Sequence, residues 1–207
     1  MKTIAIYNGK GGSGKTNLAV HVGVVAAHTM RTGILDLDAD MQYAYEWAIA
    51  RDHQAPAVQR STAPKLAKDL AGLAEAGVEL AILDFPPNLS TANATALALA
   101  DLIVIPVQPS SADLNGFHKA INIIRSSKRP FVFVISRASP NDPDVGDTVT
   151  VLSHYGEVCP THIGDRKAFK RSLSVGMSVI EFDSKSKAAA ESIAVCDWIL
   201  TKLKGEK

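Results

Sequence analysis

The chain has 207 residues, 46% of them hydrophobic, and a formal net charge of +1. This length fits one α/β domain with an ample core, and the near-neutral balance excludes a molecule that binds polyanions over its whole surface, so any nucleic-acid contact has to come from a local patch. Cys159 and Cys196 stand far apart and the six histidines lack ligand spacing, which argues against a metal or disulfide framework and for reduced, buried thiols. No apolar run is long enough to span a bilayer, and Lys2 leads straight into an apolar stretch without the features of a signal peptide.

Residues 3–7 are a short apolar run before glycine and predict a buried strand. Gly9, Lys10, Gly11, Gly12, Ser13, Gly14, Lys15 and Thr16 follow, and residues 17–30 carry Leu18, Val22, Val25 and His28 at helical spacing. Strand, glycine-rich loop and helix are the setting a phosphate cradle needs. Glycines let successive N–H groups turn inward on phosphate oxygens, and the helix adds the positive end of its dipole. Lys15 can reach β- and γ-phosphates, and the Thr16 hydroxyl can serve Mg²⁺. The octet also contains Gly9-x-Gly11-x-x-Gly14, with Asp36 and Asp38 downstream as in a dinucleotide fingerprint. Lys15-Thr16 decides for a nucleoside triphosphate, because a dinucleotide loop has no use for that lysine and hydroxyl. His21 and His28, seven apart, read as a packed or half-exposed helix face.

Residues 32–38 predict a second strand ending in carboxylates, so Asp38 and Asp40 should face the phosphate loop. A helix is expected over 41–51, a loop with a short strand over 53–64, and an amphipathic helix over 65–76. Residues 80–84 are four apolar positions delivering Asp84, the arrangement in which a carboxylate holds the Mg²⁺ shell. Phe85-Pro86-Pro87-Asn88 is a stiff loop suited to sensing a γ-phosphate. The rest reads as helix 90–100, strand 102–107, helix 111–127 with Leu114, Phe117, Ile121 and Ile124 on one face, strand 131–135, turn-rich loop 141–146, helix 149–155, short strand 158–163, and helices over 166–175 and 185–203. Strands alternating with helices predict a mostly parallel, twisted sheet covered on both faces, a three-layer P-loop NTPase fold in one domain spanning 1–207.

At this point the residues resemble the ParA family of partition ATPases, in the small form that lacks an N-terminal DNA-binding extension. The resemblance rests on Lys10 to Thr16 as a deviant Walker A loop, Asp38-Ala39-Asp40-Met41-Gln42 as the second acidic motif, Asp84-Phe85-Pro86-Pro87 as Walker B, Ala100 to Ser110, and Val179-Ile180-Glu181 with the segment after Lys185. It implies that Gly11, Gly12, Ser13, Gly14, Lys15, Thr16 and Asn17 bind ATP, that Thr16, Asp38 and Asp84 surround Mg²⁺, that Asp40 orients the attacking water, and that Lys10 reaches across an ATP-bound homodimer to the partner's phosphates. Asn17 stands where the family usually has a second threonine, Met41 replaces a usual proline, and Ser136-Arg137 stands where many members place Asn-Arg near adenine. No guanine-specific Asn-Lys-x-Asp motif is present, which favours ATP over GTP.

The resemblance further implies a weak ATPase, cytoplasmic and nucleoid-associated, that binds DNA non-specifically as the ATP dimer in plasmid or chromosome partitioning. A centromere-binding adaptor protein and DNA would stimulate hydrolysis and release it. Arg166, Lys167, Lys170 and Arg171 form the candidate DNA patch, with Lys202, Lys204 and Lys207 beyond. Two alternatives use the same switch: a protein cargo such as a microcompartment or chemoreceptor, and a membrane-surface, division-site-positioning role. The stripe Val195, Trp198, Ile199 and Leu203 is better explained as the packed face of the last helix than as an anchor, so no stable membrane association is expected.

Overall fold

A computed structural model describes residues 1–52, 55–87, 91–109 and 114–205, without the side chains of 91 and 114–119. Seven parallel strands, β1 (Lys2–Ile6), β2 (Thr32–Asp36), β3 (Ala57–Arg60), β4 (Leu80–Asp84), β5 (Leu102–Val107), β6 (Phe131–Ile135) and β7 (Glu157–Val158), form one sheet in the order β3-β2-β4-β1-β5-β6-β7. The helices among the described residues are α1 (Lys15–Ala27), α2 (Tyr43–Ile49), α3 (Leu66–Glu75), α4 (Thr91–Leu97), α5 (Leu114–Ser126), α6 (Asp144–Ser153), α7 (Lys167–Leu173), α8 (Val179–Phe182) and α9 (Lys187–Lys204).

The strands are apolar on both sides, and their alternation assigns residues to two cores. Ile4, Ile6, Ile34, Ile82, Val104, Val132 and Val134 meet α1 and α9 on one face. Ala5, Tyr7, Leu35, Leu83, Ile103, Ile105, Phe133 and Ile135 meet α3, α4, α5 and α6 on the other. This is the three-layer α/β architecture expected. Helix α1 is buried nearly all round, with Leu18, Val20, Val22 and Val24 all out of solvent, because it lies between the sheet, α2 and α9. In α9, Val195 and Ile199 are fully buried and Trp198 and Leu203 pack beside them, so the apolar stripe is spent on the core. No described helix is long and apolar enough to cross a membrane.

Several boundaries differ from the sequence reading. Strand β2 stops at Asp36, because the Asp36 carboxylate turns the chain by accepting the Asp38 and Tyr45 N–H groups at 3.1 and 3.0 Å. Helix α6 begins at Asp144 inside the expected loop, since Asp142 accepts the Asp144 N–H at 3.1 Å and acidic residues favour a helix start. The expected strand over 158–163 is only two residues long and begins at Glu157, followed by a single bridge from Gly164 to Ala138. Helix α8 was not expected; Ser178 and Glu181 open it with a reciprocal capping box. The starts expected at Ser90 and Ser111, the Asn88 end of the proline loop, Ser110 and Lys207 lie outside the described residues, as do the side chains of Leu114 and Phe117.

Candidate nucleotide site

The parallel register builds the site. Ile6 and Asp36 each pair with Asp84 on β4, so the carboxyl ends of three adjacent strands coincide, and β1 runs directly into the glycine loop. Gly12 and Gly14 have φ of 74° and 93°, the left-handed region that a side chain resists, and Gly14 opens α1. The loop's carbonyls are held from outside. Gln108 Nε2 donates to Gly12 O at 2.7 Å and Arg137 Nη1 to the same oxygen at 3.1 Å, while Ser136 Oγ donates to Ser13 O at 2.6 Å. Asn8 accepts the Lys10 N–H at 2.9 Å and donates to Pro106 O at 2.7 Å. These bonds fix the Gly12 and Ser13 carbonyls toward the ends of β5 and β6, and on the side away from them a glycine loop can present N–H groups to an anion.

Lys15 is 7% exposed, and its ammonium donates to Lys10 O at 3.1 Å. Burial lowers its pKa, and the nearby Asp84 and Asp38 carboxylates oppose that shift. Asp84 is 1% exposed and pushed up to about 7, chiefly by burial, with Asp36 and Asp38 adding to the shift and Thr16 and Lys15 opposing it. The Thr16 hydroxyl is near enough to influence Asp84, yet neither carboxylate oxygen has a hydrogen-bond partner in good geometry. Five buried side-chain oxygens among the described residues lack partners. Four of them, Ser13 Oγ, Asn17 Oδ1 and both Asp84 oxygens, belong to the loop, the first turn of α1 and the end of β4. Buried polar groups are nearly always satisfied, so this cluster is shaped for a polar guest.

The donor set fits Mg²⁺. A hard cation takes oxygen ligands, commonly one or two carboxylates with water and phosphate oxygens. Asp84 and Thr16 supply a carboxylate and a hydroxyl, and the Asp38 charge acts on both Asp84 and Lys15. Among the described residues no group of three or more His, Cys, Asp or Glu is placed to hold a metal ion.

The expected site residues therefore do not all meet. Gly11 to Asn17, Asp38 and Asp84 converge. Asp40 is exposed two residues beyond Asp38, and no described contact brings it to Lys15 or Asp84. Lys10 is exposed on the loop's rim. Ser136 and Arg137 hold the loop itself, and Arg137 also lies 3.6 Å from Asp165. In the candidate DNA patch, Arg166 forms a two-point ion pair with Glu191 at 2.6 and 3.0 Å, whereas Lys167, Lys170 and Arg171 are exposed on α7. His21 is fully buried and structural. Its Nε2 accepts the Val179 N–H at 2.9 Å, so Nδ1 carries the proton and donates to Asn17 O at 2.6 Å.

Two features escaped the sequence reading. Asp36 is a buried carboxylate that organises the loop carrying Asp38; its place at the end of an apolar strand was a signal for it. Arg51 is the other. Its guanidinium pairs with both Glu181 oxygens at 2.6 and 2.9 Å, donates to Gly176 O at 3.0 Å and Ala55 O at 2.8 Å, and lies 4.7 Å over the Trp47 ring. Partners about 130 positions away leave no local pattern.

Residues 4–206 match the family described as the CobQ/CobB/MinD/ParA nucleotide binding domain. The "Maintenance of carboxysome distribution protein A" of Gloeobacter kilaueensis is 29% identical over 202 residues, covering 92% of this chain and 89% of that protein. The protein of the same name from Halothiobacillus neapolitanus is 25% identical over 201 residues, covering 92% of each. Among solved structures, the septum site-determining protein MinD of Pyrococcus horikoshii, complexed with Mg-ADP, superposes with a TM-score of 0.77 at 15% identity over 99% of this chain and 97% of that one. A parallel sheet delivering a glycine loop, a buried lysine and an unpartnered aspartate to one edge, matched over nearly its whole length, makes this chain a member of the CobQ/CobB/MinD/ParA nucleotide-binding family, of the ParA type.

Proposed function

We infer that the chain is a Mg²⁺-dependent ATPase switch that positions a protein assembly. The observation that carries the nucleotide part is the cluster of unsatisfied oxygens of Ser13, Asn17 and Asp84 at the glycine loop. Lys15 neutralises the β- and γ-phosphates, and Thr16 and Asp84 hold Mg²⁺, which supplies charge neutralisation when bound. Asp38, whose charge is felt by both Lys15 and Asp84, orients the attacking water in preference to Asp40. Water's oxygen bonds to the γ-phosphorus as the β–γ bridging P–O bond breaks, and ADP and phosphate leave. Lys10, exposed on the rim, stabilises that charge in the second copy of an ATP-bound dimer.

The cargo reading is supported by the two carboxysome distribution relatives, each aligned over 92% of this chain. DNA partitioning with a centromere-binding adaptor is the second reading, favoured by the exposed cations Lys167, Lys170 and Arg171. Lys15→Ala is expected to abolish binding of a fluorescent ATP analogue, and Lys10→Ala to spare binding while removing turnover. A chain that stays monomeric in saturating Mg-ATP, or a Lys10→Ala variant that turns over normally, refutes the switch. Deleting the gene and imaging cells separates the cargos: clustered protein bodies support the first reading, and plasmid loss with normally spaced bodies the second.

A further inference from the structure

Beside the phosphate loop lies an apolar groove of about 370 Å³, lined by Thr16 and Val20 of α1, Tyr43, Glu46, Trp47 and Ala50 on or next to α2, and Leu173 and Ser174 at the end of α7. The α2-side residues stand at i, i+3, i+4 and i+7, a single helix face. Trp47 is buried against Val20 and Val24 and forms the floor, while Tyr43 stands 57% exposed at the rim, and the exposed Met41 and Val175 are the sequence neighbours of the two walls. An apolar hollow with an exposed aromatic at its rim and charged residues on both edges has the make-up of a contact site. The groove is firm, because Arg51, Trp47 and Met177 tie α2 to the α7–α8 corner: Trp47 Nε1 donates to Met177 O at 3.2 Å and Arg51 to Gly176 O at 3.0 Å.

The two edges differ in charge. Lys170 lies one helical turn before both Leu173 and Ser174, and Arg171 one turn before Ser174, so these exposed cations border the α7 wall, with Lys167 a further turn away. Glu46 provides the negative group on the opposite wall. We propose that this groove docks an amphipathic helical segment of a partner protein, with aliphatic anchors for the floor, an acidic flank for Lys170 and Arg171 of α7, and a basic group opposite Glu46. This rests on the protein-positioning reading and names the chemistry of its adaptor. A nucleic acid would satisfy the α7 cations but would leave the apolar floor uncovered and meet Glu46 with like charge. Thr16 is shared by the groove and the phosphate loop, so a docked segment touches the metal-binding end of α1.

The probe is a labelled peptide of about 15 residues, long enough for a helical face, with leucines at i, i+3 and i+7, glutamates along one flank and a lysine on the other. Its anisotropy is read with the full chain in Mg-ATP, alongside a control peptide whose glutamates are lysines. Saturable binding of the acidic peptide, weakened by salt and about tenfold by Lys170→Glu with Arg171→Glu, and lost in Ser174→Trp, which fills the groove from its rim, is the expected result. Equal binding of the control peptide, or no binding of either, overturns the proposal. So does loss of duplex-DNA binding in the double variant with peptide affinity unchanged, or loss of Mg-ATP dimerisation in Ser174→Trp, which would make the groove a contact between copies of this chain. A fluorescent ATP analogue is titrated in every sample. Its failure to bind counts against the nucleotide reading, whereas a loss confined to the peptide counts against the groove.

Discussion

Asp84→Asn separates the folding cost of this site from its use. The wild-type carboxyl moves from its ordinary 3.8 to about 7 on folding, so its charged form burdens the nucleotide-free chain by roughly 4 kcal/mol. The folded pKa is raised, so the penalty is absent below pH 3.8, grows up to about pH 7 and is complete above it. An asparagine removes the charge but still buries an unsatisfied amide, which returns about half of the gain. At pH 8 the variant should therefore be more stable by about 2 kcal/mol, a rise in Tm of about 4–8 °C for a chain of this size. The advantage should shrink at pH 5, where the wild-type carboxyl folds neutral. Mg-ATP should reverse the order: at 100-fold excess over its Kd it adds about 2.7 kcal/mol to the wild type and little to the variant. Urea and thermal unfolding at both pH values, with and without Mg-ATP, read all four corners. A variant no more stable than wild type at pH 8 without ligand, or an equal Mg-ATP shift in both proteins, would refute the view of Asp84 as a desolvated metal ligand.

Three further outcomes follow from groups away from the phosphates. Arg51→Ala strands Glu181, whose carboxyl is held down to about 2 against its burial by Arg51 and Ser178; because Glu181 is itself exposed, solvent screens much of that pairing, and the loss is expected to cost about 1–2 kcal/mol by urea unfolding. Burial lowers the His21 pKa to about 4, so its contribution is intact above pH 6.5 and falls away as pH drops toward 4, by roughly 3 kcal/mol. A His21→Gln variant should lose that part of the acid slope, seen as a difference in urea midpoints between pH 7 and 4.5. Gly176→Ala would drive a Cβ into the Ala50 carbonyl oxygen at a φ of 70°, and should destabilise by about 2–4 kcal/mol and weaken peptide binding in the groove.

The strands were the most legible part of the fold. β4, β5 and β6 have the expected bounds because each is an apolar run with a clear break beside it, Asp84 ending β4, Pro109 following β5 and Pro130 preceding β6, and a strand buried on both faces has no other pattern to offer. The phosphate loop was legible for a different reason: glycines at fixed intervals before Lys15-Thr16 serve no packing purpose. Carboxylate roles were harder. Asp36, Asp38 and Asp40 alternate identically in sequence, and only the register with Asp84 shows that Asp36 is interior, Asp38 near the loop and Asp40 outside. The α7 cations looked equivalent until Glu191, on another helix, claimed Arg166. The α6 start was readable in principle, since Asp142 and Asp144 flanking Pro143 are helix-opening residues that also make turns.

The sheet's margins bear on how copies of this protein can gather. Its outermost strands, β3 and β7, are also its shortest, at four and two residues, and β3 closes on Arg60. Brief, charged borders offer little ladder for a neighbour's backbone. Crowding of copies should therefore not drive filaments built by strand addition; assemblies must form through side-chain surfaces, where a bound nucleotide can govern when they come apart.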